Sequence, residues 1–236
     1  AARWAVQPLA TVDRHEAPGL DRAALDREDL DRQVQGQPYR FASVQEVSLD
    51  PTGAGTWESL PSGRQLWRLR VSGPDVLSLN LGFSRFWLPA GSRLLIYPAA
   101  GEGRILAYDE TDNAPHGQLW TPVLLTDEVV VELEIDPALR WQLELELTSV
   151  GRGYRFFGED LEAKAGACNI DVICSQGDDW RDEIASVAVY SLGGGTICTG
   201  WMTNNTAQDG RPYFMTAYHC NVRANWAPSV VVYWNF

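Results

Sequence analysis

With 236 residues, 45% of them hydrophobic and 21% charged, the chain has the composition of a folded protein with room for one large domain or two ordinary ones. Its formal net charge of −12, with no basic stripe, argues against a nucleic-acid partner, and no apolar run has the length of a membrane-crossing helix. The opening Ala1-Ala2-Arg3-Trp4 lacks both a methionine and an apolar leader, which fits a secreted chain read from beyond its signal peptide.

In chain order, residues 17–35 are rich in Asp and Arg and set Leu20, Ala24, Leu25 and Leu30 on one side, predicting a solvated helix over about 18–34. Read alone, it is a surface helix without a chemical role. From Tyr39 the period changes to two. Gln65–Val71 and Val76–Phe83 alternate, and further strands are predicted at Arg93–Tyr97, Arg104–Tyr108, Leu119–Leu125, Val129–Ile135 and Trp141–Val150. The last two put glutamates on one face and aliphatic side chains on the other. Turn signals such as Ser72-Gly73-Pro74 and Pro89-Ala90-Gly91 separate the strands, so residues 39–150 predict an antiparallel β-sandwich. Trp57, Trp67, Trp87, Trp120 and Trp141 are expected to fill much of its core. Residues 151–166 lose the strand pattern and read as a junction, placing a domain boundary between 1–162 and 163–236. Strands resume at Ser186–Tyr190, Thr196–Met202, Tyr213–Thr216 and Val230–Trp234.

Charge and cysteine follow the same division. Residues 1–162 carry 15 Arg against 25 Asp and Glu, whereas residues 163–236 carry 4 basic and 6 acidic residues. All four cysteines (Cys168, Cys174, Cys198 and Cys220) fall in the second part. An even number suits disulfides in an oxidising compartment, and the spacing matches no common zinc pattern, so no metal is expected.

The chemistry concentrates in Pro212-Tyr213-Phe214-Met215-Thr216-Ala217-Tyr218-His219-Cys220, where an aromatic-rich strand ends in small residues, a histidine and a cysteine. A general base must hold its imidazole in one orientation, so its backbone must be rigid. A disulfide from Cys220 to a neighbouring strand would fix that turn. Cys198 lies 22 positions earlier, a distance suited to a pairing across two strands, and Asn204–Arg211 has the turn chemistry to join them.

Thr216-Ala217-Tyr218-His219-Cys220 with the upstream Cys198-Thr199-Gly200 resembles the trypsin-like serine proteases, in which Thr-Ala-x-His-Cys carries the catalytic histidine. Cys168–Cys174, Val187–Ser191, Asn204–Ala207 and Val230–Asn235 narrow the resemblance to the bacterial lysyl endopeptidase family. Gly55-Thr56-Trp57, Leu66–Leu69, Ser78–Phe83, Leu119–Pro122 and Gly153-Tyr154-Arg155 look like that family's long propeptide. The resemblance implies a secreted enzyme with a chymotrypsin-like double β-barrel that cleaves proteins and peptides after lysine, without a cofactor. His219 would be its general base and Cys198–Cys220 its disulfide. Cys168 and Cys174 would be free, paired with each other or paired to partners further downstream. The family's aspartate and its Gly-Asp-Ser-Gly-Gly nucleophile segment are expected downstream of Phe236, so residues 1–236 alone should be inactive. Trp201 stands where the family commonly has a serine, a change expected to alter packing beside the site.

Lysine use adds an independent expectation. The sequence holds 18 arginines and a single lysine, Lys164, inside the junction. A lysine-specific protease that matures itself needs an accessible lysine at the boundary and none in the folded propeptide, so cleavage is expected after Lys164, with Glu162–Ala163 as the alternative. The propeptide is expected to dock on the protease part, aid its folding and block its site. His15 and His116 read as solvated, and Asp171 and Asp182 as poor stand-ins for the family's aspartate. The rival reading is a catalytically inactive protein of protease descent, or a β-sandwich binding or inhibitor module.

Overall fold

The computed structural model describes residues 7–155 and 174–234, in which strands dominate. Lys164, Cys168 and Asp171 lie outside the described residues. The helix α1 (Arg22–Val34) starts at Asp21, whose carboxylate accepts the Ala24 amide 2.9 Å away. It gives way at Gln35 to Gly36, whose φ of 66° suits a residue without a side chain.

Two sheets pack face to face in the N-terminal region. One contains β1 (Arg14–Glu16), β4 (Thr56–Ser59), β5 (Gln65–Ser72), β7 (Arg93–Pro98), β8 (Leu106–Tyr108) and β10 (Glu128–Ile135), with β10 antiparallel to both β5 and β7. The other runs in the order β3 (Ala42–Leu49), β11 (Glu144–Gly153), β6 (Ser78–Trp87), β9 (Leu119–Trp120). Alternation turns Val129, Val131, Leu133 and Ile135 of β10 into one core with Leu79, Leu81 and Phe83 of β6 and Leu147 and Val150 of β11. The all-β architecture with a short helix therefore holds.

Several details differ from the sequence reading. The glutamate face of β10 is partly covered: Glu132 is 1% exposed and accepts the Tyr97 hydroxyl at 2.9 Å, while Glu128 and Glu134 are half-buried. Beside it Arg68 forms a buried ion pair with Glu58 and donates to the Gln7 carbonyl, so the start of the chain covers this face. Of the five tryptophans expected in the core, Trp67 is fully buried and Trp57 packs at its edge, while Trp87 and Trp141 are exposed. Trp120 is half-buried. Trp141 falls in a 3-10 turn (Pro137–Gln142) instead of a strand, because Asp136 caps that turn through the Ala138 amide. As a result β11 starts later and runs through Gly153, into the expected junction.

The C-terminal region forms a third sheet. β14 (Tyr213–Thr216), β13 (Thr196–Thr203), β12 (Val187–Leu192) and β15 (Val231–Trp234) follow one another antiparallel. Its fifth strand comes from far upstream: β2 (Tyr39–Arg40) pairs with β13, with Arg40 opposite Thr196 and Tyr39 opposite Ile197. Residues 39–40 thus leave the sandwich to which the sequence reading assigned them. The small cluster of Val189, Ile197, Phe41 and Ala42 seals this joint, and the Tyr233 hydroxyl accepts the Val123 amide at 3.1 Å.

An ionic hub anchors β2. Asp29 of α1, 9% exposed, accepts the Tyr154 hydroxyl at 2.6 Å and Arg40 Nε at 2.8 Å, and pairs with Arg155 at 3.1 Å. Burial first, and then the hydrogen bond to Asp29, pushes the Tyr154 phenol well above its usual pKa. The polar helix therefore has a role its sequence did not suggest: it ties the strand before β3 to the end of β11.

Candidate active site

His219 is positioned by the hairpin of β13 and β14. β14 pairs with β13 through Thr216 opposite Gly200 and Met215 opposite Trp201. After Ala217 the chain enters a tight 3-10 turn, Tyr218–Cys220, closed by the Cys220 amide to the Ala217 carbonyl at 3.0 Å. Asn221 ends it at φ 58°, the left-handed conformation that asparagine tolerates better than most side chains.

The disulfide Cys198–Cys220 ties this turn to the middle of β13, with the Cα atoms 6.0 Å apart. Cys220 is buried whereas His219, its neighbour, is exposed. The side-chain nitrogen of His219 and the two sulfurs lie within 4.8 Å of one another. Because both sulfurs are joined, they offer no thiolates, and this trio is a braced histidine instead of a metal site.

Three further features hold the turn, and sequence reasoning found none of them. Thr216 Oγ1 donates to the Thr199 carbonyl at 2.8 Å and accepts the Tyr190 hydroxyl at 2.8 Å, locking the last residue of β14 to two strands. Phe214 packs edge-on against Tyr190 and Trp234 at ring distances of 5.7 and 6.2 Å. Gly200 leaves room for that stack, since a Cβ there would stand 2.5 Å from the Phe214 ring. The three-residue pattern Cys-x-Gly signals this requirement, but only the cross-strand register shows which ring fills the space.

The histidine opens on a cleft of about 1020 Å³ between the two regions. Leu192, His219 and Trp226 line one side, and Arg32, Arg40 and Glu46 the other. Among the described residues no hydrogen bond links the imidazole to a carboxylate. Asp182 sits exposed in the one-turn helix Arg181–Ile184, and Cys174 is a free, exposed thiol. Trp201 does not pack beside the site. It occupies the face of β13 opposite Cys198, half-exposed between Val187 and Met215. His116 is exposed, its Nδ1 accepting the Gln118 amide, whereas His15 is half-buried in β1 with its Nε2 enclosed and not solvated.

A histidine on the turn that follows a strand, cinched by its neighbouring cysteine within an all-β chain, is the arrangement that resembles the trypsin-like serine proteases. Comparison with known proteins gives the particular family. Residues 163–236 match the family model of the lysyl endopeptidase C-terminal domain. The chain is also 29% identical over 185 residues to the lysyl endopeptidase of Pseudomonas aeruginosa, an alignment covering 70% of the chain and 39% of that relative. The chain thus spans about two fifths of the length of the curated relative it matches. No solved structure matches it. Residues 163–236 are thus similar to the C-terminal domain of lysyl endopeptidases.

Proposed function

We propose that the chain carries the propeptide and the first part of a secreted serine endopeptidase that cleaves after lysine. The observation that carries this reading is His219, exposed on a turn braced by Cys198–Cys220 and facing a cleft, within the segment matched by the family model. In the complete enzyme the His219 imidazole takes the proton from a serine hydroxyl as that oxygen attacks the peptide carbonyl. It then returns the proton to the leaving amine. The serine and an orienting aspartate belong to a segment beyond residue 236, so residues 1–236 do not hydrolyse peptides unaided.

In this reading residues 1–162 are the propeptide, removed at Lys164, the one lysine among 18 arginines. The name of the matched relative and the placement of that lysine support lysine over arginine. The pairing of β2 with β13, and the N-terminal residues along the cleft, support a propeptide that assists folding and crowds the site.

The test is kinetic. In the protein extended through its downstream segment, His219→Ala is expected to lower kcat/KM on a lysyl peptide by about four orders of magnitude or more. The parent is expected to prefer lysyl over matched arginyl substrates, and its mature N-terminus to fall at residues 163–165. Undiminished turnover by His219→Ala would overturn the catalytic assignment, and equal rates on the two substrates would overturn the specificity.

A further inference from the structure

The tip of the β12–β13 hairpin is Gly193-Gly194-Gly195. Gly193 and Gly194 have φ of 59° and 70°, which explains two of them by backbone conformation. The remaining demand is steric and comes from the other region. Gly194 and Gly195 are buried. A Cβ on Gly195 would stand 2.9 Å from Val44 and 3.2 Å from the Ala42 carbonyl, and one on Gly194 would stand 3.4 Å from both Asn80 and Trp120.

The sandwich is shaped in return. Gly151 of β11 has no room for a side chain, since a Cβ there would lie 1.6 Å from Asn80 Oδ1 and 2.6 Å from the Gly194 carbonyl. Asn80, 3% exposed on β6, donates through Nδ2 to that carbonyl at 3.1 Å. The Gly195 carbonyl accepts the amides of Phe41 and Ala42 at 3.0 and 3.2 Å. Both tip carbonyls therefore find their donors in the N-terminal region, and β2 continues the pairing along β13.

We propose that Gly193–Gly195 is the recognition element by which the N-terminal region grips the protease region, and that this grip outlasts cleavage of the connecting segment. The proposal rests on the propeptide reading above and specifies how the propeptide holds its enzyme. Backbone hydrogen bonds, a side-chain donor and a glycine-shaped socket all act without the covalent link. The same tip borders the cleft that contains His219, through Leu192, Gly193 and Gly195, so the grip keeps residues 32–46 beside the histidine. A released propeptide is thereby a ligand for its own enzyme.

The experiment uses the whole chain with a site-specific protease sequence inserted after Lys164, cut in solution and passed through a sizing column at micromolar concentration. The two pieces of the parent are expected to elute together. Asn80→Leu removes the donor to Gly194, and Val44→Asp puts a charge against Gly195 from a half-exposed position where the sandwich tolerates it. Each is expected to weaken the association at least about tenfold. Thermal melting of each uncut variant identifies any that has failed to fold, and Val44→Asp decides if Asn80→Leu is one of them. Separation of the parent's pieces, or variants that stay associated as tightly as the parent, overturns the proposal. Co-elution is read without catalysis, so an enzyme that turned out not to cleave after lysine would leave this result standing.

Discussion

The two regions of the molecule are stabilised in different ways. The sandwich buries a continuous core contributed by both of its sheets, from Trp67 and Val71 through Phe83 and Ile96 to Val150. The C-terminal sheet has a disulfide, an aromatic stack and, as its buried apolar cluster, two of its own residues set against Phe41 and Ala42 from upstream. Its fifth strand is also borrowed. The sandwich is organised to stand by itself, and the described part of the C-terminal region is organised to lean on it. Among the described residues this sheet completes its small apolar cluster with upstream side chains, so a preformed sandwich is expected to help it assemble.

The largest effect should come from the sandwich core. Phe83→Ala removes a fully buried ring and is expected to cost about 3 to 5 kcal/mol. If the C-terminal sheet depends on the sandwich, hydrogen exchange of the β12 and β13 amides should accelerate together with that of β10. Exchange in β12 and β13 that ignores this loss would break the comparison.

A smaller and more local effect is expected from reducing Cys198–Cys220. For a sequence separation of 22 residues, loss of the link is expected to destabilise the C-terminal sheet by about 3 kcal/mol. Amides of β13 should lose protection while those of β10 keep theirs. The asymmetry is the point: damage in the sandwich spreads to the sheet, and damage in the sheet stays there.

The smallest effect sharpens the map of the site. Trp201→Ser places the small residue expected from the resemblance at a position half-exposed on the face away from Cys198. Its stability is expected to change by less than about 1 kcal/mol, measured by denaturant unfolding. The turn at His219 should be unaffected, with the Tyr218–Cys220 amides exchanging as in the parent.

The alternating strands were legible because period-two patterns in β5, β6 and β10 are long and each has a buried face. His219 and its disulfide were legible because the motif is local and its cysteine partner lies one hairpin away. What the sequence hid depends on contacts across long separations. Asp29 looks like one acid among many on a polar helix, yet it meets Tyr154 and Arg155 from the other end of the sandwich. Trp87 and Trp141 look like core because size and hydrophobicity are local properties, whereas burial depends on what covers a face. Gly193–Gly195 reads as a turn, and only the carbonyls' bonds to Asn80, Phe41 and Ala42 reveal it as a joint.

The most direct measurement is refolding. The C-terminal region, extended through the downstream segment proposed above, is denatured and returned to native conditions with and without residues 1–162, and the recovery of the proposed lysyl-peptide hydrolysis is compared. A sheet that borrows its fifth strand and half of its small cluster from upstream should recover several-fold more activity when those residues are present and are then removed by proteolysis. Equal recovery with and without them would contradict the account.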